Sequence, residues 1–246
     1  MAIFTLIIIC TSSLTLADNL FKEGDYFNAI TEYKRALFLG STDSIYGLSM
    51  IGLSYEFRHK HDFALKYWGE VNYLKNDEVS SLHVAYNLLR LGRYRECMLI
   101  LDSPVDTLAK KMKAVALGLQ GEESRAEREL KFLNVKPLHI PSKKFLIASS
   151  FILPGSGLIM LGEYKRGFMT AAFTGASAYL VAYLLKKKRY TEALLSFNVF
   201  FLRFYMGNIQ NTLKMRRNRI KKFYLKLERE IEAQLTNKTL EELGLK

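Results

Sequence analysis

The chain has 246 residues, room for one or two domains with cores of their own. It is 49% hydrophobic and 24% charged, and its mean hydropathy near zero is high for a soluble protein. A formal net charge of +12 leaves three readings: nucleic acid, anionic lipid, or the basic residues that orient membrane spans. Much of that charge lies between Lys186 and Arg229, beside apolar segments, which favours the last two and sets nucleic acid aside. The first 140 residues mix polar and apolar positions, whereas residues 145–209 are far more apolar.

Residues 1–17 carry an apolar run from Ile3 to Ile9, a polar stretch, and Thr15, Leu16 and Ala17 before Asp18. This patterning predicts a signal peptide cleaved after small residues, although no basic residue precedes the run. The competing reading is an apolar helix that packs on the element after it. Cys10 lies in this segment and Cys97 far outside it, so removal of the N-terminus would leave one cysteine and no internal disulfide.

Residues 18–133 contain an internal repeat. Four turn residues, Gly24, His59, Gly92 and Gly121, are each followed five positions on by a small residue: Ala29, Ala64, Cys97 and Ala126. Seven positions before each turn stands another small residue: Ala17, Gly52, Ala85 and Ala114. Four positions after the second small residue comes a bulky one: Tyr33, Trp68, Leu101 and Leu130. Small residues let two antiparallel helices approach, and large ones fill the space beside them. The pattern resembles the tetratricopeptide repeat family. That resemblance implies helix pairs stacked into a solenoid, with the first helix of each pair on the concave face. By register that face would carry Tyr46, Met50, Leu53, Phe57, His83, Tyr86 and Arg90, a mixed aromatic surface suited to an extended peptide or a partner helix. Family members that clamp a terminal carboxylate use Lys and Asn there; Ser49, Met50 and Leu53 are not that set. The same residues could instead pack against the protein's own C-terminal half.

Residues 134–144, with two prolines, read as a linker. Three apolar candidates for membrane helices follow within 145–209: Phe145 to Leu161, Gly167 to Leu185, and Ala193 to Ile209, the last interrupted by Asn198, Arg203 and Asn208. The first contains Leu153-Pro154-Gly155-Ser156-Gly157, with Gly162, Tyr164 and Gly167 beyond it. This resembles the "PGxGQxYxG" hairpin of small bacterial membrane proteins, the TM2-like family. The resemblance implies that Pro154, Gly155, Gly157, Gly162, Tyr164 and Gly167 press one span against the next. Leu158 stands in place of the Gln and Met160 in place of the first Tyr, so no role tied to that Gln carries over. A proline within a span frees a backbone carbonyl that neighbours must satisfy, which argues for a broken segment buried against protein.

Residues 210–246 form a basic tail. Ile220, Phe223, Leu227, Ile231 and Leu235 share one helical stripe, and Arg216, Arg217, Arg219, Lys221 and Lys222 lie beside it, an arrangement suited to an anionic lipid surface. A solvated helix packing on the repeats is the other reading. No HExxH, CxxC, phosphate loop or GxSxG is present, and His59 and His61 are two apart. The expectation is therefore an all-α protein: a tetratricopeptide-like solenoid, two or three membrane helices, and a basic amphipathic helix. Its expected role is a non-enzymatic adaptor of the bacterial envelope, at the inner membrane, with the repeats periplasmic or, alternatively, cytoplasmic. The expected partners are a protein or peptide, membrane lipid and another membrane protein, with no cofactor, metal, nucleic acid or small-molecule substrate. The alternative role is a structural component whose repeats brace the membrane helices without a peptide ligand.

Overall fold

The structure, a computed structural model, describes residues 14–102, 106–136 and 138–245. The apolar run Ile3–Ile9 and Cys10, central to the signal-peptide reading, lie outside the described residues. The described residues are all-helical, with no strand among them. They divide into two compact units: residues up to 136 together with 224–245, and residues 138–223.

In the first unit the helices are α1 (residues 14–22), α2 (Tyr26–Phe38), α3 (Ser44–Phe57), α4 (His61–Lys75), α5 (Glu78–Arg90), α6 (Tyr94–Ile100), α7 (Thr107–Gln120) and α8 (Glu123–Phe132). From α2 to α8, each packs on its neighbours in sequence. Aspartates open the first helix of successive pairs: Asp43, Asp77 and Asp106 accept the backbone N–H groups of Tyr46, Ser80 and Leu108. Each satisfies a donor that the first turn cannot pair internally.

The eight small and four bulky positions of the sequence repeat are all buried, and the four turn residues are exposed. Gly52 shows why a small residue is needed: a Cβ there would lie 2.8 Å from the Trp68 indole nitrogen. The four turn residues share a left-handed backbone, with φ of 83° at Gly24, 55° at His59, 76° at Gly92 and 99° at Gly121. Ala17, the expected cleavage residue, is fully buried in α1, and Asp18 accepts hydrogen bonds from the hydroxyls of Tyr33 (2.7 Å) and Tyr46 (2.8 Å). Residues 14–22 are helical, and Ala17 and Asp18 pack into the first unit.

The second unit contains α9 (Lys143–Ile152), α10 (Ser156–Met160), α11 (Tyr164–Lys186), α12 (Tyr190–Ser196), a π-helical segment (Phe197–Leu202) and the start of α13 (Arg203–Glu242). The rest of α13, from Tyr224, belongs to the first unit. Thus the tail helix begins at Arg203, inside the segment expected to be the third span. The first expected span, Phe145 to Leu161, is not one helix but two short ones, because Pro154 has no N–H for the Ser150 carbonyl. Two side chains of α13 repair the break. Asn208 donates Nδ2–H to the Ser150 carbonyl (3.3 Å) and accepts the Gly155 N–H on Oδ1 (3.2 Å). The Tyr205 hydroxyl donates to the carbonyl of Phe151.

Gly155, at φ 91°, and Gly167 let backbones meet: a Cβ on Gly155 would lie 2.2 Å from the Gly167 carbonyl oxygen. On Gly157 a Cβ would lie 2.2 Å from Ser150 Oγ. Gly162 turns the chain at φ 73°, while Tyr164 is exposed. Among the described residues one helix, α11, is long and apolar enough to cross a membrane, and only 17% of its most apolar window is buried.

Two predictions follow from the turn and the break. His59→Gly should stabilise the protein by about 1 kcal/mol, since glycine accepts the left-handed backbone without a Cβ penalty; an unchanged or lowered denaturation midpoint would refute it. Asn208→Leu should destabilise by about 1–3 kcal/mol, by stranding a buried carbonyl and a buried N–H. A midpoint equal to wild type would mean that the break is satisfied elsewhere.

Candidate functional site beneath the C-terminal helix

The second half of α13 covers a face built by α5 and α7. Leu227, Ile231 and Leu235 are buried there, so the apolar stripe read from the sequence faces protein from Leu227 onward. The Tyr224 ring lies directly on Gly118, where any Cβ would fall within the ring, and burial pushes the Tyr224 hydroxyl up to about 12. Polar contacts frame the apolar ones. Lys238 reaches Asp106 (3.1 Å) and Glu78 (3.5 Å), Lys111 donates to Gln234 (3.1 Å), and Arg90 pairs with Glu228 (3.3 Å).

Beneath the helix runs a buried chain of side chains whose donors and acceptors can be assigned in order. Arg90 Nε–H donates to His61 Nε2 (3.2 Å), so His61 carries its proton on Nδ1 and gives it to Asn87 Oδ1 (3.0 Å). The Asn87 amide donates to Glu56 Oε1 (2.5 Å) and to the His83 carbonyl (2.8 Å). The Glu56 carboxylate also accepts from His83 Nδ1 (2.9 Å). Thr239 spends its hydroxyl proton on the Leu235 carbonyl (2.9 Å), leaving Oγ1 to accept from His83 Nε2 (2.6 Å). Both ring nitrogens of His83 are thus engaged, Nδ1 by the Glu56 carboxylate and Nε2 by the Thr239 hydroxyl. Trp68 stacks flat on the His83 ring, with centroids 3.7 Å apart and planes within 4°.

The residues expected on the concave face divide between this interior and the first helices of the unit. Met50, Leu53, His83 and Tyr86 are buried, and Arg90 is half-buried in its ion pair. Tyr46 is half-buried on Asp18, and Phe57 stacks on Tyr26 at 4.8 Å. What the sequence did not reveal was the other half: Glu228, Thr239 and Tyr224 come from more than a hundred residues away. The basic residues expected at a lipid surface lie earlier on α13. Arg217, Arg219, Lys221 and Lys222 are exposed, while Arg216 is half-buried and donates Nε–H to the Pro141 carbonyl (3.2 Å).

Among the described residues no cluster of three or more His, Cys, Asp or Glu could hold a metal ion, and burial pushes the Cys97 thiol up to about 12. In a comparison with known proteins, no family model and no curated protein sequence matches the chain.

Burial holds the His61 imidazole below its usual value; the Asn87 hydrogen bond opposes this and the nearby Arg90 cation adds to it. The unfolded chain therefore takes up a proton near pH 6.5 that the native ring refuses. Stability from this group is present above about pH 6.5 and is lost as pH falls toward the lowered native value, by up to about 1.4 kcal/mol per pH unit. Denaturant titrations between about pH 7.5 and 5.5 should show this slope, and His61→Gln should flatten it; equal slopes in both proteins would refute the assignment.

Proposed function

We propose that the protein is a non-enzymatic, membrane-anchored scaffold of the bacterial envelope, built from tetratricopeptide-like repeats whose concave groove holds the chain's own C-terminal helix. In this reading the protein is a structural or assembly component. The repeats brace the membrane-proximal half through α13, which supplies residues to both units. The observation that carries the reading is the His83–Thr239 hydrogen bond, the point where the buried chain of the repeats ends on α13. A groove that spends its central polar residues on an internal helix is committed to that helix. The apolar, largely exposed α11 supports the anchor, and the PGSG break supports a hairpin-like membrane region. The inner membrane is the proposed location, with the repeats periplasmic or cytoplasmic.

A second reading is an adaptor in which a partner helix displaces α13. It is favoured by the groove's occupant being itself an amphipathic helix, the shape that helix-in-groove recognition requires. Glu228→Lys in the full-length protein separates the two. It places a cation against Arg90 in a buried position. For a brace, the expected result is a loss of about 3–5 kcal/mol in stability and no newly co-purifying protein. An unchanged denaturation midpoint, with a partner gained in stoichiometric amount, would overturn the brace and establish the adaptor.

A further inference from the structure

The net charge of the protein resides in one place. Residues 138–223 contain fifteen Lys and Arg against two carboxylates, Glu163 and Glu192, so the remainder of the chain is close to neutral. Within this unit α11 and the first part of α13 enclose a cavity of about 890 Å³. Its lining mixes basic, amide and apolar side chains. Toward the start of α11 it presents Arg166 and, from α13, Lys214. About one helical turn further along α11 it presents Met169 and about two turns further Phe173, with Phe204 of α13 stacked on Phe173 at 5.6 Å. Arg203, the residue before Phe204, puts a third cation at the aromatic end, with Thr170, Gln210 and Asn211 also in the wall. The only acid paired with any of the three cations is Glu163, 3.8 Å from Arg166, in a largely exposed pair; no carboxylate among the described residues pairs with Arg203 or Lys214. Large apolar side chains are left open beside them: Phe173 is 52% exposed and Met169 51%.

From these cations beside exposed apolar side chains we propose that the cavity is a binding site for an anionic membrane phospholipid, its phosphate at Arg166 and Lys214 and an acyl chain along Met169, Phe173 and Phe204. The charge selects an anion. The apolar wall, about 10 Å long from Arg166 to Phe173, selects an amphiphile over a free phosphate, which would leave that wall in water. The adjoining π-helical segment Phe197–Leu202 fits the same picture, since such insertions re-aim side chains at functional positions. The inference rests on the reading of α11 as a bilayer helix.

The test uses the full-length protein in neutral detergent, titrated with fluorescent phosphatidylglycerol or phosphatidylcholine in mixed micelles and followed by anisotropy. Phosphatidylglycerol should bind at least about tenfold more tightly, as two basic residues at a lipid headgroup predict. The exposed-site double variant Arg166→Gln, Lys214→Gln should erase the preference, Phe173→Ala should weaken both lipids, and inorganic phosphate should not compete. Equal binding of the two lipids by the wild type overturns the proposal without recourse to any variant. Displacement of phosphatidylglycerol by inorganic phosphate overturns it in favour of a plain anion site. Alkaline carbonate extraction of native membranes tests the underlying reading separately. Release of the protein would overturn the bilayer helix, whereas retention with equal lipid binding would overturn the lipid site alone.

Discussion

A carboxylate without water must have a cation or several donors, and the Glu56 carboxylate, buried between α3 and α5, sets that condition for the first unit. It takes His83 and Asn87 as partners, Asn87 in turn meets His61, and His61 meets Arg90. The second ring nitrogen of His83 needs a partner that the repeats themselves do not supply. Thr239 supplies it from α13. The C-terminal helix therefore completes a hydrogen-bond network rather than merely covering an apolar surface, and its apolar contacts and flanking ion pairs are arranged around that single polar register.

The second unit answers the same demand at backbone level. Pro154 and the left-handed Gly155 break what composition alone would make a continuous apolar helix, and the stranded carbonyls of Ser150 and Phe151 are met by Asn208 and Tyr205. Polar residues that look like blemishes in an apolar segment are thus the partners of a defect elsewhere. The glycines around the break keep the segments close enough for those short side chains to reach.

Local packing was legible in the sequence because it repeats. Small and bulky residues at fixed spacing identified twelve positions, and all are buried; at the exposed turns, even His59 sits in the backbone region that glycine occupies in the other three. The α11 segment was legible from nineteen uncharged residues, Gly167 to Leu185. Less legible was the fate of Phe145 to Leu161, where the proline was correctly read as a break but hydropathy still drew one segment. Illegible altogether was the pairing of His83 with Thr239. Neither residue carries a local signal for the other, because complementarity between distant surfaces leaves no periodicity behind. The stripe on the tail announced an apolar face without saying whether lipid or protein would cover it.

The first unit is discontinuous in the chain: its last helix is made after the whole of the second unit. The 156 residues between His83 and Thr239 take about 8–30 s to synthesise at cellular rates. For that interval the Glu56–His83 pair exists without its lid, in a half-built surface of Trp68, His83 and Tyr86. The order of synthesis thus leaves this surface open until α13 has been made, and a transiently exposed apolar face of that kind is what chaperones recognise.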